Sequence, residues 1–228
     1  GETEANALLF VPYGNAPAGG WPLVVNAHGT TGVADGCAPS GDYDNYPDKD
    51  YTAALLAQGF AVLAPDYEGL GAAGVHPYLS LDSQGRSITA AVQAAHDPAL
   101  LPLAQLVLED IDCNQVGQSL GESLQAQFEA DGRLDTFPGI RRDLLTQAEV
   151  LPLLQRNSPG QQRLNAPVLL IQGTEDTQTP IGAARALVSR LQAQGTTLSY
   201  VEIEGGDHDT TYYERRDEVM AFLHEHLP

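Results

Sequence analysis

The sequence predicts a single domain of the α/β class, in which a mostly parallel sheet is covered by helices on both faces. Short apolar runs of strand length alternate along the chain with segments of helix length, which is the pattern of such a sheet. The chain has 228 residues, of which 43% are hydrophobic, so one domain can bury a sizeable core. We find no internal repeat and no interdomain linker, and we therefore expect residues 1–228 to form one domain.

Strands and helices are expected to alternate along the first half of the chain. Each predicted strand is a short apolar run, often β-branched, of the kind found in buried parallel sheets. Gly59 follows the first predicted helix and is typical of a helix end. The predicted strands are residues 7–11, at a sheet edge, 23–27, 60–64 and 111–116, and the predicted helices are residues 50–58 and 83–95.

The second half continues this alternation. Residues 168–172 form the clearest predicted strand, because four apolar residues in succession follow Pro167. Pro180 stands in the first turn of a predicted helix, where its missing N–H has no cost. The remaining predicted elements are a strand at residues 198–203 and helices at residues 119–130, 140–155, 180–194 and 212–226, the last of them amphipathic.

A G-x-S-x-G motif at residues 117–121 places Ser119 between a predicted strand and a predicted helix. The motif requires that context, because a sharp turn between the two elements presents the serine hydroxyl. Glycine on either side leaves room for the turn, and free N–H groups at the helix start favour developing negative charge. Residues 112–115 are weak strand formers, and an ordinary glycine-rich helix start is the alternative. We predict that Ser119 is a nucleophile.

A serine hydroxyl needs a base to take its proton, and the base needs a carboxylate to hold its tautomer. With such an elbow the order along the chain is serine, acid, histidine, on loops at the carboxyl ends of strands. Asp176 follows the strand 168–172, and His208 follows the strand 198–203. We predict Asp176 as the acid, with the adjacent Glu175 as its competitor, and His208 as the base.

The other histidines are expected to have different roles. His224 and His226 lie two residues apart on the final predicted helix and so point in different directions, which makes them a poor metal pair. Asp207 and Asp209 flank His208 and are expected to form turns. We expect no metal site. The remaining histidines are His28 before a glycine turn, His76 in a loop before proline, and His96 at a predicted helix end.

Acyl transfer requires two N–H donors aimed at the oxygen that becomes negative in the transition state. The backbone of Leu120, directly after the predicted nucleophile, is one expected donor. The loop after the second predicted strand carries glycines that let backbone amides turn inward. Thr30 is the second predicted donor, with Gly29 or Thr31 as alternatives. His28 is expected to brace this loop through a hydrogen bond rather than take part in the chemistry.

Further segments form a recognisable series with these residues. The more specific ones are residues 66–71, with the sequence Asp-Tyr-Glu-Gly-Leu-Gly, and the loop around Cys37. The whole series comprises residues 28–32, 37–40, 66–71, 76–78, the elbow around Ser119, and residues 157–160, 173–176 and 207–208. On these segments, which run along nearly the whole chain, the protein resembles secreted lipase-like and esterase-like α/β-hydrolases of bacteria and fungi.

The resemblance implies the α/β-hydrolase fold, hydrolysis of carboxylic esters, no cofactor and export from the cell, with a cytoplasmic location as the alternative. The chain departs from these relatives in two places. Only 57 residues separate Ser119 from Asp176, where the relatives insert a lid or cap. Gln118 and Leu120 stand where the relatives' elbows have His and Gln. We therefore expect a cap-poor serine carboxylesterase that acts on short-acyl esters.

Two other functions stay open. The same triad serves other acyl substrates, such as a lipid, a peptide, a thioester or a lactone, because a fold does not select its substrate. A noncatalytic binding protein on a hydrolase scaffold is the second alternative. Such proteins usually lack a member of the triad, and none is missing from this sequence.

The chain is strongly acidic, with 30 acidic against 11 basic residues and a formal net charge of −19. Such a field repels nucleic acid and anionic membranes, and no apolar run reaches the ~18 residues that a membrane span requires. The expected partner is a small-molecule ester, and the sequence leaves the oligomeric state open. Either an ordinary acidic protein or adaptation to salt accounts for the charge.

The chain contains two cysteines, Cys37 and Cys113. Two are too few to define a disulfide framework. They either form one bridge between a loop and the strand before the nucleophile or stay two buried thiols. The sequence does not choose between these alternatives.

Overall fold

The computed structural model describes residues 3–42, 48–96 and 150–227. The chain divides into two compact units, Gly1–Asn157 and Ser158–Pro228, and each is described by itself. The single domain expected from the sequence stays a prediction. The predicted strand 111–116, the predicted helix 119–130 and the first part of the predicted helix 140–155 lie outside the described residues.

A three-stranded sheet lies in the first unit, with the strand order β1-β3-β2. β3 pairs in parallel with β2, with Val24 opposite Val62, and antiparallel with β1. All five residues of β3 are buried, as expected for a strand with a neighbour on each side. The strands are β1 (Ala7–Phe10), β2 (Leu23–Val25) and β3 (Ala61–Pro65).

Two helices of the first unit contact β3. Leu55 on α1 is fully buried, and so are Phe60 and Val62 beside it in the core. α2 begins two residues earlier than predicted, because the Ser80 hydroxyl accepts a hydrogen bond from the Ser83 N–H and caps the helix. The helices of this unit are α1 (Lys49–Ala57), α2 (Leu81–Ala95) and α3 (Val150–Asn157).

The second unit is built on two parallel strands, β4 (Val168–Gly173) and β5 (Leu198–Ile203). Their register is continuous from Val168 opposite Leu198 to Gly173 opposite Ile203. The helix α4 (Ile181–Ala193) connects them and begins directly after Pro180. This strand–helix–strand unit matches the prediction closely, since apolar strands and a proline-initiated helix are local patterns.

The C-terminal segment differs from the prediction of one helix at residues 212–226. It forms two helices, α5 (His208–Glu214) and α6 (Arg216–His226), which are separated at Arg215. α5 begins earlier because the Asp207 carboxylate accepts a hydrogen bond from the Asp209 N–H at 3.1 Å and caps the first turn. Asp207 therefore starts a helix here rather than only a turn.

None of the helices in residues 3–42, 48–96 and 150–227 is both long enough and apolar enough to cross a bilayer. The same residues contain no group of three or more His, Cys, Asp or Glu side chains arranged to hold a metal ion.

The burial of β3 generates a stability prediction. Val62 has no exposed surface, whereas Val33 is 59% exposed. We expect Val62→Ala to lower the free energy of unfolding by about 2 kcal/mol, because two methyl groups leave the core and a cavity remains. Val33→Ala, the matched control, should change it by less than about 0.5 kcal/mol. Urea unfolding measures both, and equal losses would contradict a core built around β3.

Candidate active site

The loops that follow β4 and β5 leave the sheet at the same level, because Gly173 and Ile203 are paired in register. Three hydrogen bonds join the two loops. Thr174 N–H donates to the Ile203 carbonyl at 3.0 Å, and Glu175 N–H donates to the Gly206 carbonyl at 3.0 Å. Gly205 N–H donates to the Thr174 hydroxyl at 2.9 Å. The acid loop and the base loop predicted from the sequence are therefore connected through their backbones.

The loops approach each other so closely that residue 173 must lack a side chain. A Cβ atom at Gly173 would overlap the Gly206 carbonyl oxygen and lie 2.5 Å from the Thr211 hydroxyl. Real Cβ atoms do not approach other heavy atoms so closely. Glycine at this position thus permits the loop contact that brings residues 176 and 208 together.

Asp176 and His208 meet across this junction, with Nδ1 of His208 2.9 Å from Oδ2 of Asp176. The Asp176 side chain is 3% exposed and the His208 side chain 42% exposed. Glu175 is exposed, so burial distinguishes the two adjacent carboxylates, and Asp176 is the one that contacts the histidine. The catalytic roles of Asp176 and His208 stay predictions.

Four further hydrogen bonds, which were not predicted from the sequence, hold the Asp176 carboxylate. Oδ1 accepts from the backbone N–H groups of Gln178 and Thr179, both at 2.8 Å. Oδ2 accepts from the Thr179 hydroxyl at 2.7 Å and from the Gln172 side-chain amide at 2.9 Å. One sequence signal was available, because Gln172 is a polar residue at the end of an otherwise apolar strand.

These bonds decide the charge of the carboxylate. Burial raises the pKa of Asp176, but hydrogen bonds from Thr179, His208 and Gln172 outweigh burial and hold the pKa well below its ordinary value. Asp176 is therefore ionised at neutral pH and only accepts hydrogen bonds. Nδ1 of His208 consequently carries the hydrogen, and in the neutral ring Nε2 is the nitrogen with a free lone pair.

The first unit contains the loop predicted to supply an oxyanion donor. As expected, His28 braces it, with Nδ1 donating to the Gly29 carbonyl at 2.7 Å. The Tyr67 hydroxyl donates to the His28 carbonyl at 2.6 Å, and the Thr30 and Tyr78 hydroxyls lie 3.2 Å apart. A cavity of about 250 Å³ opens beside this loop, lined by these residues and by His76, Thr31 and Leu79 among others.

Residues 66–71 pack against the loop that carries His28 and Thr30. Asp66 is 1% exposed, and its carboxylate accepts a hydrogen bond from Ser40 N–H at 3.2 Å and lies 4.0 Å from Nε2 of His28. Burial raises the pKa of Asp66, with the bonds from Ser40 acting in the opposite direction. Gly69 has φ +67, and a Cβ there would lie 2.6 Å from the Val75 carbonyl carbon. The segment is thus a compact structural support.

The predicted site residues are distributed as follows. Asp176 and His208 are in contact in the second unit, and Thr30 lies beside a cavity in the first unit. Ser119 and Leu120 lie outside the described residues. Cys37 is disulfide-bonded, and Cys113, the other cysteine of the chain, also lies outside the described residues.

The close approach at Gly173 generates a prediction with a matched control. We expect Gly173→Ala to lower the free energy of unfolding by at least about 2 kcal/mol, because the new methyl group forces the two loops apart. At Gly182, on α4, an added Cβ meets nothing within 4 Å, and Gly182→Ala should raise stability by up to about 1 kcal/mol. Urea unfolding tests both. Unaltered stability of Gly173→Ala would show that the loops are not in contact.

The lowered pKa of Asp176 predicts a pH-dependent contribution to stability. The ordinary pKa of this carboxyl is 3.8, and the folded protein binds the proton only at lower pH. The contribution is therefore complete above the ordinary pKa and is lost as the pH falls toward the folded value. We expect the difference in unfolding free energy between the wild type and Asp176→Asn to shrink from about pH 6 to about pH 3. A difference that does not change with pH contradicts the lowered pKa.

The C-terminal part of the chain matches a known family. The model of the prolyl oligopeptidase family covers residues 148–228, which include β4, β5, Asp176 and His208. No curated protein sequence matches the chain significantly.

Several solved structures that are similar to the chain are hydrolases. A Thermogutta terrifontis esterase with butyrate bound is 16% identical, with a TM-score of 0.55, 98% of this chain and 94% of that chain covered. A puromycin-hydrolyzing peptidase of Mycobacterium tuberculosis is 18% identical, with a TM-score of 0.59, 97% of this chain and 38% of that chain covered. An acetyl ester-xyloside bifunctional hydrolase of Caldicellulosiruptor lactoaceticus is 12% identical, with a TM-score of 0.53, 97% and 88% covered. The chain therefore has the predicted α/β-hydrolase fold, and its residues 148–228 resemble the prolyl oligopeptidase family.

Proposed function

We propose that this protein is a serine carboxylesterase that hydrolyses short-acyl esters. The observation that carries the proposal is the hydrogen bond between the buried, ionised Asp176 and Nδ1 of His208. This bond orients the imidazole and leaves Nε2 to accept a proton, which is the arrangement a serine nucleophile requires. The sequence supplies such a serine in the G-x-S-x-G motif at Ser119.

In the proposed mechanism the Ser119 hydroxyl attacks the ester carbonyl carbon while Nε2 of His208 takes the hydroxyl proton. Asp176 stabilises the imidazolium that forms. The tetrahedral intermediate collapses, and the alcohol leaves with the proton from His208. Water, deprotonated by the same histidine, then attacks the acyl-enzyme and releases the acid and the free serine. Ester and water are the only reactants, and the proposed reaction needs no cofactor.

The negative oxygen of each tetrahedral intermediate is proposed to bind the backbone N–H groups of Leu120 and Thr30. Each such donor contributes about 3 kcal/mol to transition-state stabilisation in comparable sites. The bonds from His28 and Tyr67 hold the Thr30 loop, which favours donors that need not reorganise during the reaction. Burial, with Asp66 as a second cause, raises the pKa of Tyr67, so its hydroxyl stays protonated and able to donate.

The preference for short acyl groups has two supports. Only 57 residues separate Ser119 from Asp176, which leaves little chain for a lid or cap that would bind a long acyl chain. The Thermogutta terrifontis esterase, which has a similar fold, was solved with propionate and with butyrate bound. Both observations favour small acyl groups over long fatty chains.

A second candidate function is hydrolysis of peptide or other amide bonds. The prolyl oligopeptidase family match at residues 148–228 and the similarity to a puromycin-hydrolyzing peptidase favour it. The same triad chemistry serves both substrates, and the amide leaving group needs protonation more than the alcohol does. Comparison of p-nitrophenyl butyrate with puromycin and with aminoacyl p-nitroanilides discriminates the two functions.

The esterase proposal predicts covalent labelling and a chain-length preference. A fluorophosphonate probe should label the wild type but not Ser119→Ala, whose unfolding curve should match the wild type. Turnover of p-nitrophenyl acetate or butyrate should exceed that of the palmitate ester by at least about tenfold, since one methylene misfit alone changes discrimination by about 10-fold or more. Equal or faster palmitate hydrolysis contradicts the short-acyl assignment, and an unlabelled wild type contradicts the serine mechanism.

We also propose that the protein is exported. A disulfide at Cys37 fits an oxidising compartment, because disulfides are rare where glutathione keeps thiols reduced. Fractionation of cells that express the full-length gene, with a thiol-reactive mass tag applied before and after reduction, tests both the location and the disulfide. A reduced protein in the cytoplasm would contradict this proposal.

A further inference from the structure

We propose that Gln172 and Thr179 are positioning residues that hold the Asp176 carboxylate in the orientation His208 requires. The inference rests on the proposed function, because it assigns these side chains a part in the work of the Asp176–His208 pair. Neither residue was predicted from the sequence. Gln172 lies on β4 and Thr179 lies in the loop before α4, whereas His208 begins α5.

The carboxylate is held at five points. His208, Gln172 and the Thr179 hydroxyl donate to Oδ2 at 2.9, 2.9 and 2.7 Å, and two backbone N–H groups donate to Oδ1. A carboxylate has about four lone-pair sites, so Asp176 is saturated with donors. Rotation of the carboxylate about its Cβ–Cγ bond breaks several of these bonds at once, and this restricts Oδ2 to the position that His208 contacts.

Thr179 donates a hydrogen bond to each oxygen of the Asp176 carboxylate. Its backbone N–H donates to Oδ1 and its hydroxyl donates to Oδ2. The backbone bond alone allows the carboxylate to pivot about Oδ1. The bond from the Thr179 hydroxyl prevents this pivoting, because it holds Oδ2, the oxygen that His208 contacts. A substitution of the Thr179 side chain removes this bond and keeps the backbone bond.

Gln172 connects the two ends of the acid loop. Its amide nitrogen donates to Oδ2 of Asp176 at 2.9 Å and to the Thr179 carbonyl at 3.0 Å. Gln172 lies on β4 and is buried, whereas Thr179 directly precedes Pro180 and the start of α4. Both hydrogens of the Gln172 amide therefore donate hydrogen bonds, and the amide connects the Asp176 carboxylate with the end of the loop at Thr179.

The donors have a cost for the charge interaction as well as a benefit for geometry. Among the described residues, His208 is the one ionisable side chain hydrogen-bonded to Asp176, and the other four donors are neutral groups. Neutral donors compete with the imidazolium for the negative charge of the carboxylate, and so weaken that charge interaction. The same donors hold Oδ2 in a fixed direction. We infer that orientation is what they supply, since catalytic groups displaced by about 1 Å lose about 100-fold in rate.

The test compares Thr179→Val, which keeps the shape of the side chain and removes the hydroxyl, with Thr179→Ser, which retains the hydroxyl. We expect kcat for p-nitrophenyl butyrate to fall about 10- to 100-fold in Thr179→Val, with KM within about twofold of the wild type, and Thr179→Ser to stay within about threefold of the wild type. Thr177→Val is the matched control, since Thr177 is exposed and makes no hydrogen bond to Asp176 within the described part of the chain. It should leave kcat unchanged.

A second readout does not depend on turnover. Titration of the Asp176 carboxyl carbon by nuclear magnetic resonance, assigned with Asp176→Asn, should show a higher pKa for Asp176 in Thr179→Val than in the wild type, because a donor to the ionised form is lost. If valine prevents folding, Thr179→Ala replaces it in both experiments. In an active wild type, an unchanged kcat in Thr179→Val overturns the inference whatever the titration shows, as does equal loss of kcat in Thr179→Ser.

The two readouts separate the failure of this inference from the failure of the proposed function. A wild type that is neither labelled by fluorophosphonate nor active on esters contradicts the proposed function. The titration of Asp176 still reports whether Thr179 holds the carboxylate in that case. Normal labelling with no effect of Thr179→Val on kcat contradicts the positioning role alone.

Discussion

Where β4 and β5 end, two backbones turn away from the sheet at the same level, because Gly173 and Ile203 are opposite each other in a parallel pair. This register determines which residues of the two following loops are neighbours. A shift by one residue would move each side chain to the other face of the sheet and would separate Asp176 from His208. The absence of a side chain at Gly173 permits the remaining approach, in which backbone hydrogen bonds join the loops.

The charge of Asp176 depends on this same junction. A carboxylate taken out of water is costly unless hydrogen bonds and a partner replace its hydration. Here the replacement comes from one turn of chain between β4 and α4, with His208 as the contribution of the neighbouring loop. The loop that places Asp176 therefore also solvates its carboxylate, and Asp176 is ionised at neutral pH.

In the first unit, hydrogen bonds rather than apolar packing hold the loop that carries Thr30. The loop after β2 has few apolar side chains with which to pack, and hydrogen bonds from His28 and Tyr67 hold it instead. Asp66, which is buried, lies beside His28 and directly precedes Tyr67. The same segment turns at Gly69, where a side chain would not fit. The Asp-Tyr-Glu-Gly-Leu-Gly segment at residues 66–71 therefore has a structural role, which is to support the loop that carries Thr30.

The sequence by itself determined the strand–helix alternation and the loops that carry Asp176 and His208, because apolar runs, helix-starting prolines and turn residues act over a few neighbouring positions. It revealed neither the break at Arg215 nor the early start of α5, which depends on a cap at Asp207 within a segment that reads as polar loop. The sequence favoured Asp176 over Glu175, but only the tertiary structure showed that Asp176 is the carboxylate in contact with His208 and added Gln172 and Thr179 to its contacts. The physical reason is that burial and hydrogen-bond geometry arise when separate segments meet, and a linear pattern of residue types contains neither.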